Sequence, residues 1–504
     1  MEIMVPAPVH WIVATALSFD IILHKHRPVS AVLWLAVVWA LPMWGALGYL
    51  VLGVDQIRRF APGPKRLERL FRSYIERGPE ELLAPGAEPR AAGAEPEAPG
   101  DAPGAAGAEA AASEADAPTL ALLRGAHILR LTEPAIRPYR ITRGNHIELL
   151  VDGVELYPAM EEAIEGAEER IDFQTYILTP DPAGRGLVER LAARAAAGVR
   201  VRLLYDGFAS APAYFTGFLG AARRSGIAVA ASHPRGYPNL RNHRKVAVVD
   251  GRVAFVGGMN IDDRNLPGPG GTPPDRDYHL RVHGPAVRDL EFQFLIDWSR
   301  ATGDALERLT HDTPPRWTPT DGDALAQVIP GGPERSGGGL AMAFFGAIAA
   351  AERSVEIVTP YFLPDEALMS ALRYAGTRGV EVRIVLPGRS NHWYTAHAAR
   401  ALYDRLLESG VRIYERRPPF MHAKALVVDG VYSMLGSANL DYRSLYLNFE
   451  LNLEVASATF ASTVLRQVEL EICESVEVSL EAHERRPVGR RLTESVCRLL
   501  HPML

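Results

Sequence analysis

The sequence predicts an α/β protein: two tandem, similar domains related by a pseudo-two-fold, each a mixed, largely parallel sheet flanked by helices, behind an N-terminal transmembrane hairpin. Three observations predict it. Residues 29–53 form an uncharged run near the N-terminus. The rest of the chain alternates strand-like and helix-like segments in an order that occurs twice. One phrase, "HRKVAVVDGRVAFVGGMN" at 243–260, returns as "HAKALVVDGVYSMLGSAN" at 422–439.

The uncharged run, "VSAVLWLAVVWALPMWGALGYLVLG", reaches roughly 37 Å as a helix at about 1.5 Å per residue, enough for a hydrocarbon core of about 30 Å. Residues 4–23, interrupted by Pro6, Pro8, His10 and Asp20, are read as a second span, with "HKHRP" at 24–28 as the turn between them. The basic cluster Arg58, Arg59, Lys65, Arg66, Arg69 and Arg72 exceeds the charge of that turn. By the positive-inside rule everything downstream then lies on the cytoplasmic face, the basic cluster beside anionic headgroups. Residues 78–117 are almost wholly Ala, Gly, Pro and Glu, too poor in large apolar side chains to bury a core, and read as a disordered tether. The expected organisation is therefore a membrane hairpin at 1–57, a basic juxtamembrane segment and tether at 58–119, and two domains at 120–312 and 313–504.

In the first domain "IDFQTYIL" leads through the helical run "GLVERLAARAAAG" to "VRVRLLYDG"; in the second, "VEIVTPYFL" leads through "EALMSALRYAGTRG" to "VEVRIVLPG". Such alternation implies βαβ units. Each repeated phrase reads as a strand, a turn at Asp-Gly and a second strand. Side chains two apart on a strand share a face. His243 therefore projects with Lys245, and His422 with Lys424; the Gly-Gly or Gly-Ser that follows brings Asn260 or Asn439 nearby. Of 54 basic residues only four are lysine, and two of those occupy the same place in the two phrases.

Imidazole beside an ammonium, an amide and a Gly-rich turn suits an anionic phosphoryl group: the charges hold its oxygens and the imidazole attacks or carries protons. Two such half-sites around a pseudo-two-fold would face each other across one cleft. The net charge of −6 and the lack of a basic-aromatic stripe argue against a nucleic-acid partner. Cys473 and Cys497 have neither disulfide-framework nor zinc-site spacing, and no metal-ligand cluster accompanies the motifs.

The pattern H-x-K-x4-D-x6-G-(G/S)-x-N resembles that of the phospholipase D superfamily. "TPYFLPDEAL", "GSANLDYRSLYLNFELNLEV" and the terminal "RLLHPML" are similar to landmarks of the bacterial cardiolipin synthases within it. The resemblance implies a multi-pass enzyme of the bacterial inner membrane, its catalytic domains on the cytoplasmic face. It implies cofactor-free phosphatidyl transfer between two phosphatidylglycerol molecules through a phosphohistidine. His243 would be nucleophile and His422 acid, then base. Lys245, Lys424, Asn260, Asn439 and Ser437 would hold phosphate oxygens. Asp277 and Glu450 would each orient the histidine of their own motif. Asp250 and Asp429 complete the catalytic motifs; at strand-ending turns, they are read as fold support. Two departures stand out: Gly258 replaces the Ser of the strict motif, and no Trp precedes Arg276-Asp277. Anionic phospholipids are the expected partners, with a hydrolase or a transferase using another alcohol as the alternative.

Overall fold

The computed structural model describes residues 7–24, 28–41, 43–50, 64–77, 117–136, 138–232, 240–318, 320–333 and 338–499. Two compact units are distinguished: Met1–Pro62 with His233–Leu240, and Gly63–Ser232 with Arg241–Leu504.

In the first unit, helices Ala7–His24 and Pro28–Ala40 pack together, and a short helix, Trp44–Gly48, follows. The uncharged run is thus not one helix: it stops at Ala40, two residues before Pro42, whose ring disfavours helical geometry in the residue ahead of it. Among the described residues no helix is long and apolar enough to cross a membrane.

The second unit is built on one sheet. Its first half contributes β1 (Thr142–Val151), β2 (Arg170–Thr175), β3 (Arg200–Asp206), β4 (Ala228–Ser232), β5 (Val246–Val249), β6 (Val253–Gly257) and β7 (Tyr278–His283). The second contributes β8 (Ala324–Gly331), β9 (Ser354–Val358), β11 (Glu381–Pro387), β12 (Arg412–Arg416), β13 (Ala425–Val428), β14 (Tyr432–Gly436), β16 (Glu450–Ala456) and β17 (Ser475–Glu477). β10 (Phe362–Leu363) and β15 (Leu440–Asp441) pair separately. The first half runs β1-β7-β6-β5-β2-β3-β4, and the second repeats it as β8-β16-β14-β13-β9-β11-β12, with β17 at its edge. The antiparallel β1–β8 pair joins them into one continuous sheet.

Only β2–β3–β4 and β9–β11–β12 run parallel in that sheet; its other pairs are antiparallel. The expected largely parallel sheet is therefore corrected to a mainly antiparallel one. The helical crossovers are parallel connections, but each motif folds as a hairpin, and hairpins are antiparallel. β5, β6, β13 and β14 are buried throughout, which suits largely apolar strands at the centre of a sheet covered on both faces.

The hairpin turns explain the motif aspartates. Asp250 and Asp429 both adopt φ 53°, followed by glycines at φ 67°, the two positive-φ positions of a tight primed turn. Each carboxylate then reaches the chain entering a neighbouring strand. Asp250 accepts from the backbone N–H groups of Glu168, Glu169 and Arg170, each at 2.8 Å. Asp429 accepts from Arg353 at 2.7 Å and Ser354 at 2.9 Å, and from Arg124 Nε at 2.8 Å. Both lie beyond the far end of a strand from the histidine and lysine of their motif.

Two segments before β1 are folded. Helix Pro64–Ile75 buries Phe71 and Tyr74 against Tyr139 and Phe292, and Tyr74 donates to Glu291 at 2.6 Å; Lys65, Arg66, Arg69 and Arg72 stay exposed. The basic juxtamembrane segment thus contains a packed helix, because Leu67, Leu70, Phe71 and Tyr74 line one helical face. Helix Ala117–Thr132 packs on β16, in the second half, where Gly125 lets it approach Ala456 and Val431. Of the tether expected at 78–117, residues 78–116 lie outside the described residues and Ala117 begins this helix.

Replacing Asp250 by Ala removes the acceptor of three backbone donors, of which that of Arg170 is buried and the other two are part-buried. An unsatisfied buried donor costs about 1–3 kcal/mol, so Asp250→Ala is expected to lose stability of that order, read by denaturant unfolding in detergent, with Asp250→Asn losing less.

Candidate active site

Each catalytic-type histidine sits just before a central strand, and what fixes it comes from the other half of the chain. His243 N–H donates to Phe449 O at 2.9 Å while Phe449 N–H donates to Arg241 O at 2.9 Å. In the second half Arg276 N–H donates to Phe420 O at 2.9 Å and His422 N–H to Arg276 O at 2.7 Å. These two short parallel bridges lay the chain before each histidine beside the chain before each carboxylate.

The side chains follow. His243 Nδ1 lies 2.9 Å from Glu450 Oε2, and His422 Nδ1 lies 2.6 Å from Asp277 Oδ2. The expectation that each carboxylate orients the histidine of its own motif is corrected: the pairs are crossed, because the bridges that align them join opposite halves. With the carboxylate on Nδ1, the proton is held there and Nε2 is left for chemistry.

Behind these pairs the halves differ. Ser437 donates its hydroxyl to Glu450 Oε2 at 2.6 Å and accepts from Leu451 N–H at 3.0 Å, so the hydroxyl expected to hold phosphate holds the carboxylate instead. Its counterpart is Gly258, where an added Cβ would stand 2.2 Å from Asp277 Oδ1. Asp is one methylene shorter than Glu, so its carboxyl group lies closer to its own backbone and takes the place a serine would need. Arg244, between His243 and Lys245, donates to Glu450 O at 2.8 Å and Gly331 O at 2.7 Å; Ala423 occupies that place in the second motif.

Both lysines are buried. Lys245 Nζ donates to His243 O at 2.7 Å and lies 5.0 Å from the centre of the Tyr176 ring. Lys424 Nζ lies 2.9 Å from His422 Nδ1 and also donates to His422 O. Burial pulls Lys245 down to about 7 and Lys424 down to about 8. Burial, with Lys424 beside it, lowers His422 to about 4; burial lowers His243 as well, with Glu450 opposing. Burial alone would raise the two carboxyl groups, but Lys424 and His422 bring Asp277 below its ordinary value, and His243 and Lys245 do the same for Glu450. Asn260 Oδ1 accepts from Ile177 N–H at 3.2 Å, and Asn439 Nδ2 donates to Ser444 at 3.2 Å while its Oδ1 is buried with no hydrogen-bond donor. Both follow the second strand of their hairpin, at the histidine end.

Sequence reasoning missed Tyr176 and Tyr361. Tyr176 stands edge-on to His243 at 4.7 Å and Tyr361 edge-on to His422 at 6.5 Å between ring centres. Aligning "QTYIL" with "TPYFL" would have found them, since each tyrosine leaves a corresponding strand, β2 or β9. Among the described residues no group of three or more His, Cys, Asp or Glu side chains is placed to hold a metal ion.

Comparison with known proteins agrees with this duplicated geometry. The family model described as "Cardiolipin synthase, PLD-like domain" matches residues 160–285 and 344–470, once in each half. The chain is 35% identical over 370 residues to a cardiolipin synthase of Alkalihalophilus pseudofirmus, covering 72% of this chain and 73% of that protein. It is 32% identical over 500 residues to a cardiolipin synthase of Geobacillus thermodenitrificans, covering 97% of this chain and 91% of that one. The crystal structure of Haemophilus influenzae phosphatidylserine synthase matches 75% of this chain and 100% of its own with a TM-score of 0.58 at 14% identity, a likeness of fold.

Crossed pairing gives a spectroscopic expectation. In protein labelled with ¹⁵N-histidine, Asp277→Asn is expected to move the ring-nitrogen signals of His422 and spare those of His243, and Glu450→Gln to do the reverse. Same-half coupling would exchange these two results.

Proposed function

The chain belongs to the phospholipase D-like cardiolipin synthase family, and from that premise we propose that it joins two phosphatidylglycerol molecules into cardiolipin with release of glycerol. The observation that carries this reading is the symmetric pair of histidines, each backed by a carboxylate from the opposite half and each beside a buried lysine.

In the first step His243 Nε2 attacks the phosphorus of one phosphatidylglycerol. The bond from phosphorus to the glycerol headgroup oxygen breaks, and His422 gives that oxygen its proton, so glycerol leaves and a phosphatidyl group stays on His243. In the second step His422 takes a proton from a headgroup hydroxyl of another phosphatidylglycerol. That oxygen attacks phosphorus and the P–N bond breaks. Lys245 and Lys424 neutralise the phosphoryl oxygens, with Asn260 and Asn439 as further donors. Burial strips His422 of its proton in the empty site, and an arriving phosphodiester anion restores its affinity for one. Ser437, Asp250 and Asp429 act through what they hold, Glu450 in the first case and strand-entry loops in the others.

We also read the first unit as a membrane hairpin, with the halves at 120–312 and 313–504 as cytoplasmic catalytic domains in a bacterial inner membrane. Support comes from the polarity of that unit. Tyr49 donates to Asp20 at 2.6 Å and Trp39 to Ser18 at 2.9 Å between the helices, whereas Trp11, Ile12, Phe19, Ile22 and Val32 are exposed. Apolar side chains on the outside, with polar side chains bonded to one another between the helices, suit lipid surroundings.

Full-length protein in liposomes containing phosphatidylglycerol is expected to form cardiolipin and glycerol in equal amounts; phosphatidic acid alone would refute the synthase reading. His243→Ala and His422→Ala should each lower turnover at least about 10³-fold, and Lys245→Arg or Lys424→Arg about 10²-fold with charge unchanged. Acidity should follow the lysines. Each is charged below its depressed pKa and neutral above it, so kcat/KM is expected to fall as pH rises through about 7 to 8. The corresponding limb of kcat should lie higher, because bound phosphate favours the ammonium; an alkaline limb at the same pH in both profiles would contradict this.

A further inference from the structure

The helix Val488–Leu499 is amphipathic in the opposite sense to a water-facing element. Its inward face buries Cys497 and a satisfied polar group: Glu494 accepts from Arg490 Nε at 3.1 Å and pairs with Arg486, which also reaches Asp404 at 3.4 Å. His483 bonds Asp404 at 3.0 Å and Arg400 O at 3.1 Å, so this segment is fixed to the helices that follow β11. The outward face carries Val488, Leu492, Val496 and Leu499, which are 78%, 64%, 51% and 75% exposed. Steps of four, four and three put them in one stripe about 16 Å long, and Arg491 and Arg498 are exposed beside it.

A neighbouring helix leads from the stripe toward the site. Helix Trp393–Arg400 packs against Val488–Leu499, and its Trp393 is 63% exposed. The ring of His392, the residue before it, lies 5.7 Å from Tyr361, whose ring lies 6.5 Å from His422. The first half exposes aromatics at the corresponding place. The segment after β3, equivalent to the one after β11, exposes Phe208 and, at the end of helix Ala211–Phe215, Phe215; the Arg241 guanidinium covers Phe208 at 3.9 Å, two residues before His243.

We propose that this face lies on an anionic phospholipid bilayer, with the Val488–Leu499 stripe and the two aromatic loops in the headgroup–acyl boundary. Apolar side chains on one helical face with arginines beside them match such a surface in both its apolar and its charged layers. Aromatic rims leading to both histidines would let a lipid enter either half-site without leaving the membrane, whereas a second copy of the chain seated there would close that route. This docking rests on the phospholipid reading of the site but is tested apart from it.

The test uses full-length protein and reads total phosphatidylglycerol consumed, whatever the product, so a failure of the synthase reading appears in the products and a failure of docking in the rates. Leu492→Ser/Val496→Ser and Phe215→Ser are expected to lower consumption of long-chain phosphatidylglycerol in liposomes about tenfold. Consumption of a short-chain phosphatidylglycerol, held in detergent below its own micelle concentration, should stay within twofold of the parent, which also reports that the variants are folded. Equal losses on both substrates, or none on either, would overturn the proposal. So would a change from dimer to monomer in detergent caused by the stripe variants.

Discussion

The site depends on two short parallel bridges, 242 with 449 and 276 with 421. They bring a histidine from one half within hydrogen-bond reach of a carboxylate from the other, twice. Neither half therefore holds both members of a histidine–carboxylate pair, although each carries a complete motif. The requirement propagates outward. The bridges need the halves in a fixed register, and the continuous sheet through β1 and β8 supplies it. Hairpin turns fix where β5 and β13 end, and the motif aspartates pin those turns to the entries of β2 and β9. Buried charge adds a penalty for failure, since a carboxylate left here without its imidazole and lysine is an uncompensated charge in a dry place.

Symmetry stops short of the second contacts. Glu450 is long and needs the Ser437 hydroxyl to hold its outer oxygen; Asp277 is short, and Gly258 leaves it room. Glutamate with serine and aspartate with glycine are two solutions to one problem, placing a carboxylate oxygen against Nδ1. Gly258 is thus no defect in a phosphate cradle. The backbones are held differently too: Arg244 clamps Glu450 through its carbonyl, whereas Asp152 accepts from Asp277 N–H at 3.0 Å and donates its own N–H to Asp277 O at 2.9 Å.

The duplicated architecture, the histidines, their lysines and the aspartate turns were legible because each leaves a local trace: a repeat, a period of two, an Asp-Gly. The crossing of the carboxylates was not. Asp277 follows His243 in the chain, and nothing local says that their neighbours will pair with the opposite half. The antiparallel majority of the sheet was masked by the helical crossovers, whose apolar runs are the loudest signal in the sequence. Helix Pro64–Ile75 was obscured differently: its basic residues suggested a membrane flank, while Leu67, Leu70, Phe71 and Tyr74 already spelled a buried helical face. The inverted polarity of Val488–Leu499 needed the structure, since amphipathic spacing does not reveal which face turns inward.

The scarcity of lysine then acquires a physical meaning. Lys245 and Lys424 are 2% and 3% exposed, and each spends a donor on the carbonyl of its own histidine. An arginine there would keep its charge permanently and present five donors to a space that satisfies few of them. A lysine has a proton it can lose, and burial brings that loss to about 7 and 8. Glu450 and Asp277 oppose that loss, so the charge of the site is a balance of two buried lysines against two buried carboxylates. In the reaction we propose, an arriving phosphodiester anion tips that balance toward the charged lysines and a protonated His422, and this is why a compact, titratable cation occupies both places.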